Sequence, residues 1–116
     1  MTINKVMERL AEHKPHTYDS ETVAGWVITL EKDICHYIVG EDRELEYPDN
    51  ADDELTAGGS FEDIYELYCE AQVDRLNREF GQYANSYAVF NSVYSDFSKD
   101  WLRHHRPEPA GPVRIW

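Results

Sequence analysis

The apolar positions of the chain fall into four blocks with helical spacing, separated by segments rich in acid, glycine or proline. In the first block Ile3, Val6, Met7 and Leu10 recur at intervals of one, three and four. Thr2 is available as N-cap and Pro15 lies beyond the end, which predicts a short amphipathic helix from Thr2 to about His13. Pro15 to Asp19 reads as a linker. Asp19 or Ser20 then caps a second helix carrying Val23, Trp26, Val27, Leu30, Ile34, Tyr37 and Ile38, with Gly40 as its stop. A pair of strands over Val23 to Val39 competes with this reading because Val and Ile are frequent there. Glu31, Lys32 and Asp33 fit one helical surface turn better than strand alternation.

The pattern changes at Glu41. Eight acids and one Arg lie between Glu41 and Glu54, and Thr56, Ala57, Gly58 and Gly59 follow, which predicts an exposed acidic loop over residues 41–59. Leu45 and Tyr47 alternate with charge before Pro48, leaving a short β-hairpin arm open there. Ser60 caps a third helix reaching Phe80, with Glu62 and Asp63 favourable to the dipole in its first turn. Glu66, Glu70, Asp74 and Asn77 mark its solvent side. Phe61, Ile64, Tyr65, Leu67, Tyr68, Ala71, Leu76 and Phe80 form a wide apolar arc, as expected of a central helix with neighbours on more than one side. Gly81 interrupts, Asn85 or Ser86 restarts, and a fourth helix sets Tyr87, Phe90, Val93, Tyr94, Phe97 and Trp101 on one face. Pro107, Pro109 and Pro112 prevent the helix from continuing. The expected fold is therefore all-α: a four-helix bundle-like domain at 1–102 and an extended Pro-rich C-terminal tail at 103–116.

A length of 116 residues suits one domain and argues against an enzyme with an interdomain cleft. The 23 Asp and Glu against 11 Lys and Arg give a net charge of -12, which repels phosphate backbones and argues against general nucleic-acid binding. At 41% hydrophobic residues the chain is too apolar for an acidic disordered segment. Cys35 and Cys69 are too few for a disulfide framework, and no apolar signal region follows the first residues, so a cytoplasmic setting is the expectation. No apolar run approaches the roughly 20 residues of a membrane span.

Reactive constellations are weak. Cys35 and His36 point about 100° apart on a helix, His13 and His16 straddle a helix end, and the acids at 49–54 lack the pattern of a calcium loop. Gly58 and Gly59 have no basic residue beside them to cradle a phosphate, and Cys35 and Cys69 read as small buried hydrophobes. No catalytic residue, metal site or cofactor is expected. A minor enzyme using Cys69 would need a thiol of low pKa.

The stretch from Ser60 carries Tyr65, Leu67, Tyr68, Ala71, Asp74, Asn77, Glu79 and Tyr83, then Asn85, Phe90, Asn91, Tyr94, Phe97, Arg103 and Pro107. With Lys14-Pro15, Tyr18 and the Trp26 to Ile34 segment, this series resembles a family of small phage and prophage head-tail connector, or adaptor, proteins of Gram-positive bacteria. The resemblance covers nearly the whole chain except the acidic loop and the last ten residues. The chain departs from the family where Arg78 replaces a usual Gly and Ala84 a usual Asn, and in the acidity of residues 41–59. The resemblance implies a helical subunit that forms a homo-oligomeric ring beneath the portal protein and docks a stopper or tail-completion protein. DNA would be passing cargo, and the location would be the virion head-tail junction, reached from the host cytoplasm.

Charge is uneven along the chain, with a net of -7 between Glu41 and Glu54 and a positive segment after Trp101. Arg103, Arg106 and Arg114, with Val113, Ile115 and Trp116 as apolar anchors, are the expected partner surface on the tail. Glu44, Glu46, Asp52 and Asp53 are its acidic counterpart on the loop. A frayed terminus is the competing reading of the tail. The alternative function is a small acidic inhibitor that mimics DNA, motivated by the net charge and the Glu66, Glu70 and Asp74 stripe.

Overall fold

A computed structural model describes residues 1–105, and the chain forms four α-helices with no strand among the described residues. These are α1 (Ile3–His13), α2 (Ser20–Ile34), α3 (Ile64–Leu76) and α4 (Phe80–His105). The fold is the expected all-α type. Thr2 caps α1 by accepting the Lys5 N–H at 3.2 Å, and Asp19 caps α2 by accepting the Thr22 N–H at 2.8 Å. The apolar stripe of α2 continues through a π-helical turn, Cys35–Val39, until Gly40 ends it at φ 88°. Both Gly40 and Glu41 donate back to the Cys35 carbonyl, so the left-handed glycine closes the helix end.

The region 41–59 departs from an exposed loop. Leu45, Ala51, Leu55 and Ala57 are buried, while the carboxylates between them face outward. No hairpin arm forms there; Asn50 N–H bonds the Glu46 carbonyl and Ala51 N–H the Pro48 carbonyl in consecutive turns. The segment is pinned to the start of α1, where Asn4 N–H reaches the Ala51 carbonyl and Leu55 N–H the Met1 carbonyl. Four apolar residues spaced among acids fold it inward, the two leucines contributing roughly 1.5–3 kcal/mol each on burial and the two alanines about 0.8 kcal/mol each.

α3 is central and packs against α1, α2 and α4. A 3₁₀ turn, Gly59–Phe61, precedes it, and Ser60 does not cap it. α1 and the strap after it run parallel to α3, as the pairs Arg9 with Glu62 and Asp63, His13 with Glu66, and Tyr18 with Asn77 show. This covers the face of α3 expected to meet solvent: Glu66 and Asp74 are buried. At the other end of the expected arc, Leu76 and Phe80 are 42% and 64% exposed.

The junction between α3 and α4 lies earlier than Gly81 suggests. α3 stops at Leu76 with Arg78 in the left-handed region at φ 60°. Arg78 N–H returns to the Arg75 carbonyl and Glu79 N–H to the Asp74 carbonyl, the paired bonds of a Schellman ending. α4 then begins at Phe80 and runs unbroken through Gly81 and Ala84 to His105. Arg103 therefore belongs to the helix and not to a tail. The remaining tail residues, Arg106, Val113, Arg114, Ile115 and Trp116, lie outside the described residues.

Candidate functional site

Two fully buried carboxylates hold the helices in register. Glu31 on α2 accepts Arg43 Nη1 at 2.6 Å, the Thr56 hydroxyl at 2.7 Å, the Thr56 N–H at 3.0 Å and the Tyr65 hydroxyl at 2.6 Å. Cys35 Sγ stands 3.8 Å away. The Tyr65 oxygen in turn accepts the Ala57 N–H at 2.9 Å. α2, α3 and the acidic segment thus meet at one carboxylate, which has no exposure and no route for a substrate. Burial first, then the neighbouring Glu31, pushes the Tyr65 phenol well above its ordinary range.

Asp74 does the same at the end of α3. Its Oδ1 lies 2.6 Å from Lys14 Nζ and its Oδ2 accepts the Ser86 hydroxyl, tying the strap after α1 and the start of α4 to α3. Beside it His13 pairs with the buried Glu66, whose hydrogen bond and charge raise the imidazole above 6.5. Burial raises the Glu70 carboxyl. Of the stripe expected to be solvated, Glu66 and Asp74 are therefore buried and paired with His13 and Lys14, while Glu70 is half-buried and Asn77 exposed.

Neither cysteine is poised for chemistry. Both are free and buried, and burial raises both thiols, which lowers the thiolate fraction at neutral pH. Among the described residues no group of three His, Cys, Asp or Glu side chains could hold a metal ion. No described helix is long and apolar enough to cross a membrane.

The expected partner residues on the acidic segment are exposed. Glu44, whose side chain is 92% exposed, sits 3.7 Å from Lys32 Nζ; Asp52 accepts Asn4 Nδ2 and Asp53 accepts Asn50 Nδ2; Glu46 faces solvent. Arg103 is exposed on the last turn of α4.

The more distinctive surface is α4 itself. Of its 26 residues only Phe90 and Phe97 are buried, and Phe80, Val89 and Leu102 are more than half exposed. Phe90 packs with Tyr68, Tyr87 and Tyr94 at centroid distances of 5.1, 5.8 and 5.7 Å. Those tyrosines, with Tyr37, Asp33 and Asn91, line a groove of about 300 Å³ between the α2 end and α4. The periodicity had assigned Tyr37, Tyr68, Tyr87 and Tyr94 to a core face. They stand instead at its rim, and Tyr37 is 75% exposed. The seven-residue spacing of Tyr87 and Tyr94 was the signal that they share one edge. A wider depression of about 680 Å³ over Thr2, Lys5, Glu8 and Asp52 has no aromatic lining.

No protein-family model, no curated protein and no solved structure matches the chain. The functional reading therefore rests on the residues, the fold and the resemblance that the sequence itself carries.

Proposed function

We propose that the protein is a structural virion subunit of the head-tail connector type, which assembles with copies of itself into a ring under the portal and links it to the stopper or tail. The observation that carries this reading is α4, a helix of 26 residues that fully buries only Phe90 and Phe97, packs Val93, Tyr94 and Trp101 partly against the core, and leaves Phe80, Val89 and Leu102 more than half exposed. A helix longer than its own core requires is suited to contacts between subunits. The buried thiols and the enclosed Glu31 support a role without catalysis. An acidic surface at 41–54 would not grip DNA passing through a channel.

The DNA-mimic reading draws on the same net charge, but the Glu66 and Asp74 carboxylates that motivated it are paired with His13, Lys14 and Ser86 inside the fold. The connector reading is therefore preferred. Light scattering of the chain alone and mixed with a portal complex tests the choice. The expected result is a ring on the portal; a monomer that does not bind the portal overturns it.

A further inference from the structure

We propose that the tyrosine groove of one copy receives the Pro-Val-Arg segment, residues 112–114, of a neighbouring copy, with Arg114 paired to Asp33. The inference rests on the self-association proposed above and names the surfaces that make it.

The groove has the chemistry that a proline-rich strand requires. Proline fixes φ and lacks an N–H, so such a strand offers flat apolar rings and free carbonyl oxygens and needs aromatic faces and donors in return. Tyr37, Tyr68, Tyr87 and Tyr94 supply both. Among the described residues the tyrosine hydroxyls that bond to other side chains or to backbone are those of Tyr18 and Tyr65, which leaves the four groove hydroxyls available. Phe90 floors the groove and Asn91 adds a further polar group at its edge. Asp33 is exposed and makes no ion pair among the described residues, although Lys32 beside it pairs with Glu44.

The segment has the matching chemistry. Residues 106–116 read Arg-Pro-Glu-Pro-Ala-Gly-Pro-Val-Arg-Ile-Trp, with Arg114 directly after Pro112 and Val113. Within residues 112–114 Arg114 is the only charge, and it meets the single acid among the residues that line the groove. A groove that receives a segment from a different part of a second copy is a head-to-tail contact, the kind that closes into rings. The neighbour's segment is favoured over the chain's own because α4 carries residue 105 about 16 Å past Tyr94 along the helix axis. The chain's own segment would have to double back along α4 to reach the groove.

The test uses full-length chains in sedimentation velocity across a concentration series. Wild type is expected to self-associate, and Asp33→Arg, Arg114→Glu and Tyr37→Ala are each expected to weaken association about fivefold or more. Asp33, Tyr37 and Arg114 lie outside the core, and circular dichroism checks that each variant keeps its helices. An equal mixture of Asp33→Arg and Arg114→Glu chains is expected to recover association, because every groove then meets an opposite charge on its partner. A mixture no stronger than the single variants, single variants as strong as wild type, or a wild-type chain that stays monomeric overturns the proposal. Portal binding is measured separately: a wild-type chain that binds the portal without self-associating removes this inference alone, and a wild-type chain that does not bind the portal removes the connector reading.

Discussion

Tyr65 on α3 donates its hydroxyl to Oε1 of Glu31 on α2 at 2.6 Å, across 34 positions of sequence, while accepting the Ala57 N–H at 2.9 Å. One phenol thus joins two helices to the segment between them. Removing only that oxygen, as Tyr65→Phe, strands the buried Ala57 N–H and leaves Oε1 of Glu31 with only the 3.2 Å bond from the Thr56 N–H. The expected cost is about 1–3 kcal/mol in urea denaturation, and a variant as stable as wild type would remove this junction from the account.

Arg78 holds φ 60° at the end of α3, a conformation that costs an L-residue roughly 1–2 kcal/mol and glycine almost nothing. Part of that gain is offset because glycine has more freedom to lose on folding. Arg78→Gly is therefore expected to stabilise the fold by up to about 1 kcal/mol, read as a higher denaturation midpoint. A loss of stability would mean that the Arg78 side chain makes a contribution the fold does not display.

His13 titrates above 6.5 because Glu66 accepts its hydrogen bond and carries opposite charge. The sign follows from linkage: the protonated imidazole stabilises the fold fully below 6.5, and that contribution is lost as pH rises through the higher folded value. Asp19 behaves in the opposite sense, since its bonds to Thr22 lower its pKa; its contribution is present above 3.8 and lost as pH falls through the folded value. Denaturation midpoints of wild type and His13→Gln should diverge most at acid-to-neutral pH and converge at high pH. Parallel curves would contradict the pair.

Phe90 and Phe80 lie on the same helix with opposite roles. Phe90→Ala opens the aromatic cluster with Tyr68, Tyr87 and Tyr94 and is expected to cost about 3–5 kcal/mol. Phe80→Ser, at a position 64% exposed, is expected to change stability by less than about 0.5 kcal/mol. Equal losses at both positions would mean that α4 is buried on more than one face.

Cys35 and Cys69 are expected to resist a thiol reagent in the native chain at neutral pH and to react fully once denatured. Rapid native labelling of Cys69 would revive its enzymatic reading.

The elements whose boundaries are set locally were legible in the residues. Thr2 and Asp19 bond an N–H three positions on, and Gly40 ends its helix by its own backbone freedom, so neighbouring residues suffice to locate them. The α3–α4 junction was misread because its punctuation is tertiary. Gly81 has the composition of a break and sits in helix, whereas Arg78 makes the turn without a turn residue's composition. Ser86 resembles a cap, but its hydroxyl is engaged by the buried Asp74. Glu31, Glu66 and Asp74 resemble surface acids because only distant partners, Arg43, Tyr65, His13 and Lys14, make their burial tolerable. The tyrosine groove was hidden for a related reason: period marks which residues face inward, not which of them stop at the rim.

The proposed role makes this chain a structural component of a phage particle. Quantitative mass spectrometry of purified virions, compared with the infected-cell lysate, tests it most directly. The account predicts that the protein is retained in particles at a fixed ratio to the portal protein. Its presence in the lysate but absence from intact particles would contradict the account.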